Sequence, residues 1–467
     1  MIRSLRFIST AAMLLVTSLV FTSCEGTLDD VFGEWSRPIA VTNITLSETS
    51  LTKFVGDDAF TLAAAVDPNK ATDKAVTWTS SDENVLTVSD GVVTIVGKGT
   101  AIITAKAGDK TAKCTVKVFD LVNLSTLTDH YDAQSYDILT GTLEGSTQPY
   151  KISIAAGATV TLKDATINGV NNGSCKWAGI TCLGDATIIL EGENTVKAFS
   201  INYPGIQPAH NTSGDEFTLT IKGDGKLDAI CRHVESYGIN NIGYGAGIGA
   251  GFDESKSCGN IVIEGGTITA AGTSSAAGIG AAYKGTCGTI TIRGGKVTAL
   301  GGTFAAGIGS GNGNSSNVNW GKCGNITISG GTVEATGNNG GAGIGGGTNG
   351  KCGTITISGG TIEATGNNGG AGIGGGINGK CGTITISDGN VTASGGSFAA
   401  GIGGGIGKNT DADLGSCGDI IISGGSGSAT KGISATYSIG KGQHSACGTI
   451  TINGVVVGDI NTDPYTW

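Results

Sequence analysis

Glutamates, lysines, aspartates and one tryptophan at repeating positions are the side chains here whose spacing suggests chemistry. Glu334 and Glu363 sit in near-identical phrases, TVEAT and TIEAT. A carboxylate pair about 5 Å apart is the arrangement of a retaining glycosidase, with one acid and one nucleophile. These two, however, would stack on one sheet and not flank a cleft. Lys322, Lys351 and Lys380 each immediately precede a cysteine. Stacked, they make a basic stripe on an acidic protein, suited to gripping an acidic polysaccharide, and Glu334 and Glu363 join them as glycan-binding candidates. A solvated edge balanced by nearby acids is the plainer account. Two segments run longer than their counterparts. SGNGNSSNVNWGK carries Trp320, and GGIGKNTDADLGS carries Asp411 and Asp413. An exposed Trp suits sugar stacking, and two acids with loop carbonyls suit calcium. Tolerated loop drift explains both segments equally well.

Other chemistries find no support. His130, His210, His233 and His444 are scattered, and no Ser/His/Asp or Cys/His arrangement is legible. No Cys/His cluster with zinc spacing occurs. GAGIGG at 341–346 fits a dinucleotide fingerprint, but variants recur coil after coil with no helical pattern behind them. GGGTNGKC at 345–352 resembles a phosphate loop, but Cys352 stands where Ser or Thr should bind magnesium. Calcium-binding nonapeptide repeats need an Asp in each turn, and the GIGGG corners have none. Catalytic residues are therefore not assigned.

The positioning elements are read from a period. Cys258, Cys287, Cys323, Cys352, Cys381, Cys417 and Cys447 each open a phrase like CGTITISGG, at spacings of 29, 36, 29, 29, 36 and 30 residues. A recurring period of this size marks a solenoid of stacked coils. Each coil reads as a strand TITI, a turn, a strand such as TVEAT, a loop and AGIGGG. Alternation points Ile290 and Ile292, Ile326 and Ile328, Ile355 and Ile357, and Ile384 and Ile386 inward, with threonines outward. A second inward ladder is Ile248, Ile279, Ile308, Ile344, Ile373, Ile402 and Ile439. The result is a parallel β-helix with about three short strands per coil, right-handed as parallel crossovers almost always are. The cysteines should form a buried column of free thiols roughly 4.8 Å apart.

Glycine is 84 of 467 residues, against an average near 7 %. Net charge is −10, which speaks against nucleic acid as partner. The first 23 residues have the form of an export signal, with Arg3 and Arg6 before an apolar run and FTSC at its end. Residues 24–38 read as a tether. From 39 to 119 glycine is sparse, and short alternating strands between turn signals read as a β-sandwich, with Trp78 in its core. Residues 120–467 are assigned to the β-helix, irregular to about 257 and regular from 258. STLTDHYDAQSYDIL should lead into or cap its first coil, and Trp177 is equally suited to core or surface. The fold class is all-β, a sandwich followed by a solenoid, and the chain is taken as a monomer.

Asp67-Pro68, ATDKAVTWTSSDENVLTV and GKGTAIITA closely resemble the bacterial immunoglobulin-like domain of group 2. That resemblance implies a spacer or presentation module on a surface adhesin. The phrases ATVTLKDATINGV, GDATIILEGENTV and CGNITISGGTVEATGNNGGAGIGGG resemble the carbohydrate-binding bacterial β-helix proteins related in fold to pectate lyases. This implies polysaccharide or another cell-surface glycan as partner, in some relatives through calcium, although no ligand residue of that family matches here one by one. FTSC resembles a lipoprotein signal with Cys24 as the lipidated residue. The acids Glu25, Asp29 and Asp30 behind it resemble the export tag of Bacteroidetes surface lipoproteins. The implied location is the outer membrane, reached through the lipid anchor alone and facing the exterior. Set against a binding protein are two alternatives, a lyase or hydrolase of acidic polysaccharide and a purely structural surface protein.

Overall fold

The computed structural model describes residues 38–170, 172–210, 217–231, 243–252, 257–313, 321–408, 411 and 413–467. Among the described residues, apart from a 3-10 turn at Leu124–Thr126, the elements are strands. The first 80 or so described residues form the sandwich. Thr77–Ser80, Gly99–Ala107 and Lys110–Asn123 pair antiparallel in sequence, and Ser50–Phe54 adds parallel to Lys110–Asn123. Opposite them lie Phe60–Thr61, Val92–Ile95 and Leu86–Ser89. Inward residues Leu62, Leu86, Val93, Ile103, Cys114 and Val116 are fully or almost fully buried. Trp78 packs against this cluster and against the one around Val41 and Ile44, so it is core as expected.

The solenoid begins without a linker. Lys110–Asn123 pairs with Ser50–Phe54 up to Phe119, then with Asp137–Glu144 from Asp120 onward. One strand thus belongs to both halves, and it covers the first coil. Asp137, fully buried, accepts hydrogen bonds from Tyr131 Oη at 2.9 Å and from the Gln134 amide at 2.8 Å. It also pairs with Lys98 of the sandwich.

Two columns of parallel strands run through the solenoid. The shortest strands, from Tyr131–Ala133 through Ile152–Ile154, Ile180–Cys182 and Ile248–Gly249 to Ile439–Gly440, form one eleven-stranded sheet. The ITI and TVEAT strands stack in register on the other side, Ile326↔Ile355↔Ile384 being typical. The early segments are therefore coils of the same solenoid, and STLTDHYDAQSYDIL supplies its first rung. Every inward Ile of both predicted ladders is fully buried. Four such aliphatics per coil (Ile326, Ile328, Val333 and Ile344 in one) contribute about 1.5–3 kcal/mol each by area. Trp177 is half-buried against this core, 5.3 Å from His130 and 5.8 Å from Phe199 between ring centres.

The sharp corner after each short strand explains one column of glycines. Gly280, Gly309, Gly345, Gly374 and Gly403 have φ of 132–139°, and a Cβ there would collide with the carbonyl oxygen of the matching glycine one coil on. At the far end the chain reverses. Val455–Val457 pairs antiparallel with Ile450–Ile452, and Tyr465–Thr466 with Ser426–Thr430. Reversed strands at the terminus remove the open edge on which further parallel strands would add.

Candidate functional site

The loop that returns each coil to its ITI strand carries the lysines. Lys322, Lys351 and Lys380 are linked by successive parallel bridges. Their carbonyls accept from Cys287, Cys323 and Cys352 at 2.8–2.9 Å, which locks the backbone of the column. Neighbouring ammoniums rooted about 4.8 Å apart repel by roughly 1 kcal/mol in water, so flexible stems can fan them outward. Lys322 is exposed, and Lys351 and Lys380 are partly so. Among the described residues neither Lys322 nor Lys351 has an ion-pair partner, while Lys380 Nζ lies 3.4 Å from Asp413 Oδ2.

That contact joins two features the sequence left separate. Asp413, from the longer loop, reaches the last lysine of the stripe. Asp411 Oδ1 accepts from the Asp413 amide at 3.1 Å. Among the described residues no three His, Cys, Asp or Glu side chains converge as metal ligands. Trp320 and Cys24 lie outside the described residues.

Glu334 and Glu363 pair in register on adjacent strands, both exposed, between Thr298 and Thr392. They face out from the TVEAT strands. No hydrogen bond or ion pair holds either carboxylate among the described residues. Stacked on adjacent strands of one sheet, the two carboxylates are not placed across from each other as the acid and nucleophile of a glycosidase are.

A further basic surface was not found from the sequence. A recess of about 420 Å³ opens at the C-terminal end of the same loop column, lined in part by Lys408, Tyr437, Lys441, Gln443 and His444. Lys441 Nζ stands 5.5 Å over the Tyr437 ring and 3.2 Å from Asp459 Oδ2. Its hydrogen bond to that carboxylate, and then the carboxylate's charge, hold the Lys441 pKa above the ordinary lysine value. His444 turns the chain at φ 58°, as Asn349 and Asn378 do at 53° and 52° in earlier coils. The signal was present in GKGQHSAC, where the last coil replaces GGGTNGKC, but a single departure from a repeat gives no direction in space.

Comparison with known proteins divides the chain as the structure does. Residues 40–118 match the family model of the bacterial Ig-like domain, group 2. A β-helix repeat model matches five times, at residues 261–283, 290–312, 326–348, 355–377 and 384–406. An Ig-like virion protein of Serratia phage KSP90 is 46 % identical over 84 residues, 17 % of this chain and 32 % of that protein. An uncharacterized protein of Clostridium acetobutylicum is 34 % identical over 135 residues, 27 % of this chain and 14 % of that one. The chain thus spans less than a third of either curated relative.

Proposed function

We propose that this is a non-enzymatic, adhesin-like surface protein whose β-helix binds acidic polysaccharide along the lysine column. The observation that carries the reading is the stacking of Lys322, Lys351 and Lys380 in consecutive coils. One cation in each of these three coils matches a polymer that repeats its negative charge. Each contact is weak in water, so affinity comes from many contacts along one polymer. The recess with Lys408, Lys441 and Tyr437 extends the basic surface and supplies an aromatic face against which a sugar ring can lie. Cys24 would carry the lipid that holds the chain on the exterior of the outer membrane, and the Ig-like module would space the monomeric β-helix from it. The phage relative, named an Ig-like virion protein, sets a virion beside the cell as the assembly that such a chain could belong to.

The test is affinity electrophoresis of the full chain through gels containing polygalacturonate, xylan, a cellulose derivative or mucin, with and without calcium. Retardation by an acidic polymer, weakened in Lys322→Gln/Lys351→Gln/Lys380→Gln and by added salt, is the expected result. Equal retardation of that variant would overturn the assignment to the column. Shortening of the polymer during the run would favour a lyase or hydrolase, and migration unaffected by every polymer a structural role.

A further inference from the structure

The thiol column holds chemistry that glycan binding does not use. Apart from Cys24, the eleven cysteines are all free, and ten of them are buried; Cys447, at the C-terminal end of the column, is half-buried. Its Sγ lies 3.2 Å from that of Cys417. The two residues stand on adjacent rungs, since the Cys417 amide donates to Ala446 O at 3.3 Å and the Gly448 amide to Gly418 O at 3.2 Å. Adjacent rungs are about 4.8 Å apart, inside the range of about 4.4–6.8 Å between Cα atoms that a disulfide spans. The sulfurs need to close by roughly 1 Å.

Distance alone would single out the other end of the column, where Cys258 and Cys287 have their Sγ atoms 2.9 Å apart. Access decides otherwise. Cys258 and Cys287 are both buried. Thiol–disulfide exchange needs a thiolate that can meet its oxidant. The column is one of free thiols as expected, but its last rung, Cys447, is only half-buried.

We propose that Cys417 and Cys447 form a reversible disulfide at the exposed end of the column, entered through Cys447, while the remaining thiols stay reduced in the folded protein. The oxidant is a small-molecule disulfide such as oxidised glutathione. The Cys447 thiolate attacks one glutathione sulfur, and the first glutathione leaves as thiolate. The Cys417 thiolate then attacks Cys447 Sγ, and the second glutathione leaves. Two cysteine thiols are oxidised, one oxidised glutathione is reduced to two thiols, and the two cysteine protons pass to them.

The folded full-length chain is incubated with oxidised glutathione, alkylated and mapped by peptide mass. The expected product is a peptide linking Cys417 to Cys447, reversed by excess reduced glutathione. Cys417→Ser should halt the reaction at a glutathione adduct on Cys447, and Cys447→Ser should leave Cys417 reduced, with circular dichroism confirming that both variants fold. Cys258→Ser should change nothing. A Cys258–Cys287 link appearing first, an adduct on Cys447 that never resolves in the unaltered chain, or no oxidation before unfolding would each overturn the proposal.

Discussion

Replacing Lys98 by Met tests whether the two halves of the molecule are one mechanical unit. Asp137 is fully buried in the first coil, and Lys98, with a side chain 27 % exposed, reaches it from the sandwich. Beside this pair Thr100 Oγ1 donates to Tyr136 Oη at 3.0 Å, and Phe119 meets Tyr136 edge-on at 5.8 Å. Met keeps the stem and deletes the charge. Breaking a buried ion pair from one side costs about 3–5 kcal/mol, because the remaining charge is left buried. Here Asp137 keeps two donors, Tyr131 and the Gln134 amide, and Lys98 gives up some hydration to pair, so we expect about 2–4 kcal/mol. Asp137→Asn in the Lys98→Met background should recover part of the loss. The double-mutant cycle should give a coupling of about 1–3 kcal/mol. Urea unfolding followed by far-ultraviolet circular dichroism reports the stability, and limited proteolysis near Asn123 reports opening of the shared strand. A Lys98→Met chain within about 0.5 kcal/mol of the parent, or a cycle with no coupling, would refute the idea that this pair holds the junction.

Three further outcomes are expected. Gly345→Ala should cost more than the roughly 1–2 kcal/mol of a left-handed backbone alone, because its Cβ would strike the Gly374 carbonyl. Gly454→Ala, at φ 79° with nothing within 4 Å, isolates the backbone cost, and equal losses in denaturant melts would refute the collision. Asp413→Asn should change stability by less than about 1 kcal/mol, since its pair with Lys380 is exposed, yet strengthen retardation by acidic polymer in gels; weaker retardation would refute the role of Lys380. Stability should also fall steeply at alkaline pH. Burial pushes the Cys182 thiol up to about 12, and contacts along the column together with burial hold Cys287, Cys323, Cys352 and Cys417 well above 9.0. These thiols ionise in the unfolded chain first, so their stabilising share is complete below pH 9 and drains away above it. Each steepens the fall by about 1.4 kcal/mol per pH unit. Denaturant midpoints flat from pH 8 to roughly 10.5 would contradict this.

Most of the architecture was legible because it rests on local rules. Ile326 and Ile328 face inward for the reason that successive side chains on a strand alternate, and the cysteine period stacks equivalent residues once the coils are counted. The lysine column follows from the same count, as does the stack of Glu334 on Glu363. What stayed hidden involves residues at unequal offsets. Asp413 lies in an insertion, so no period places it against Lys380. Lys408 and His444 come from two different returning loops and Tyr437 from the loop before the last short strand, and the concavity between them depends on the path each loop takes.

By itself, the sequence determined the all-β class, the Ig-like sandwich followed by a solenoid, and the inward ladders. Repetition made this possible, since each coil restates the same two-residue alternation and the same glycine corner. Tertiary structure alone decided that one strand is shared across the division, that Lys98 meets Asp137 there, and that Asp413 reaches Lys380. It also decided which thiol of a seemingly uniform column can be reached. Such contacts depend on how chain ends and insertions close against the stack, and neither obeys a period.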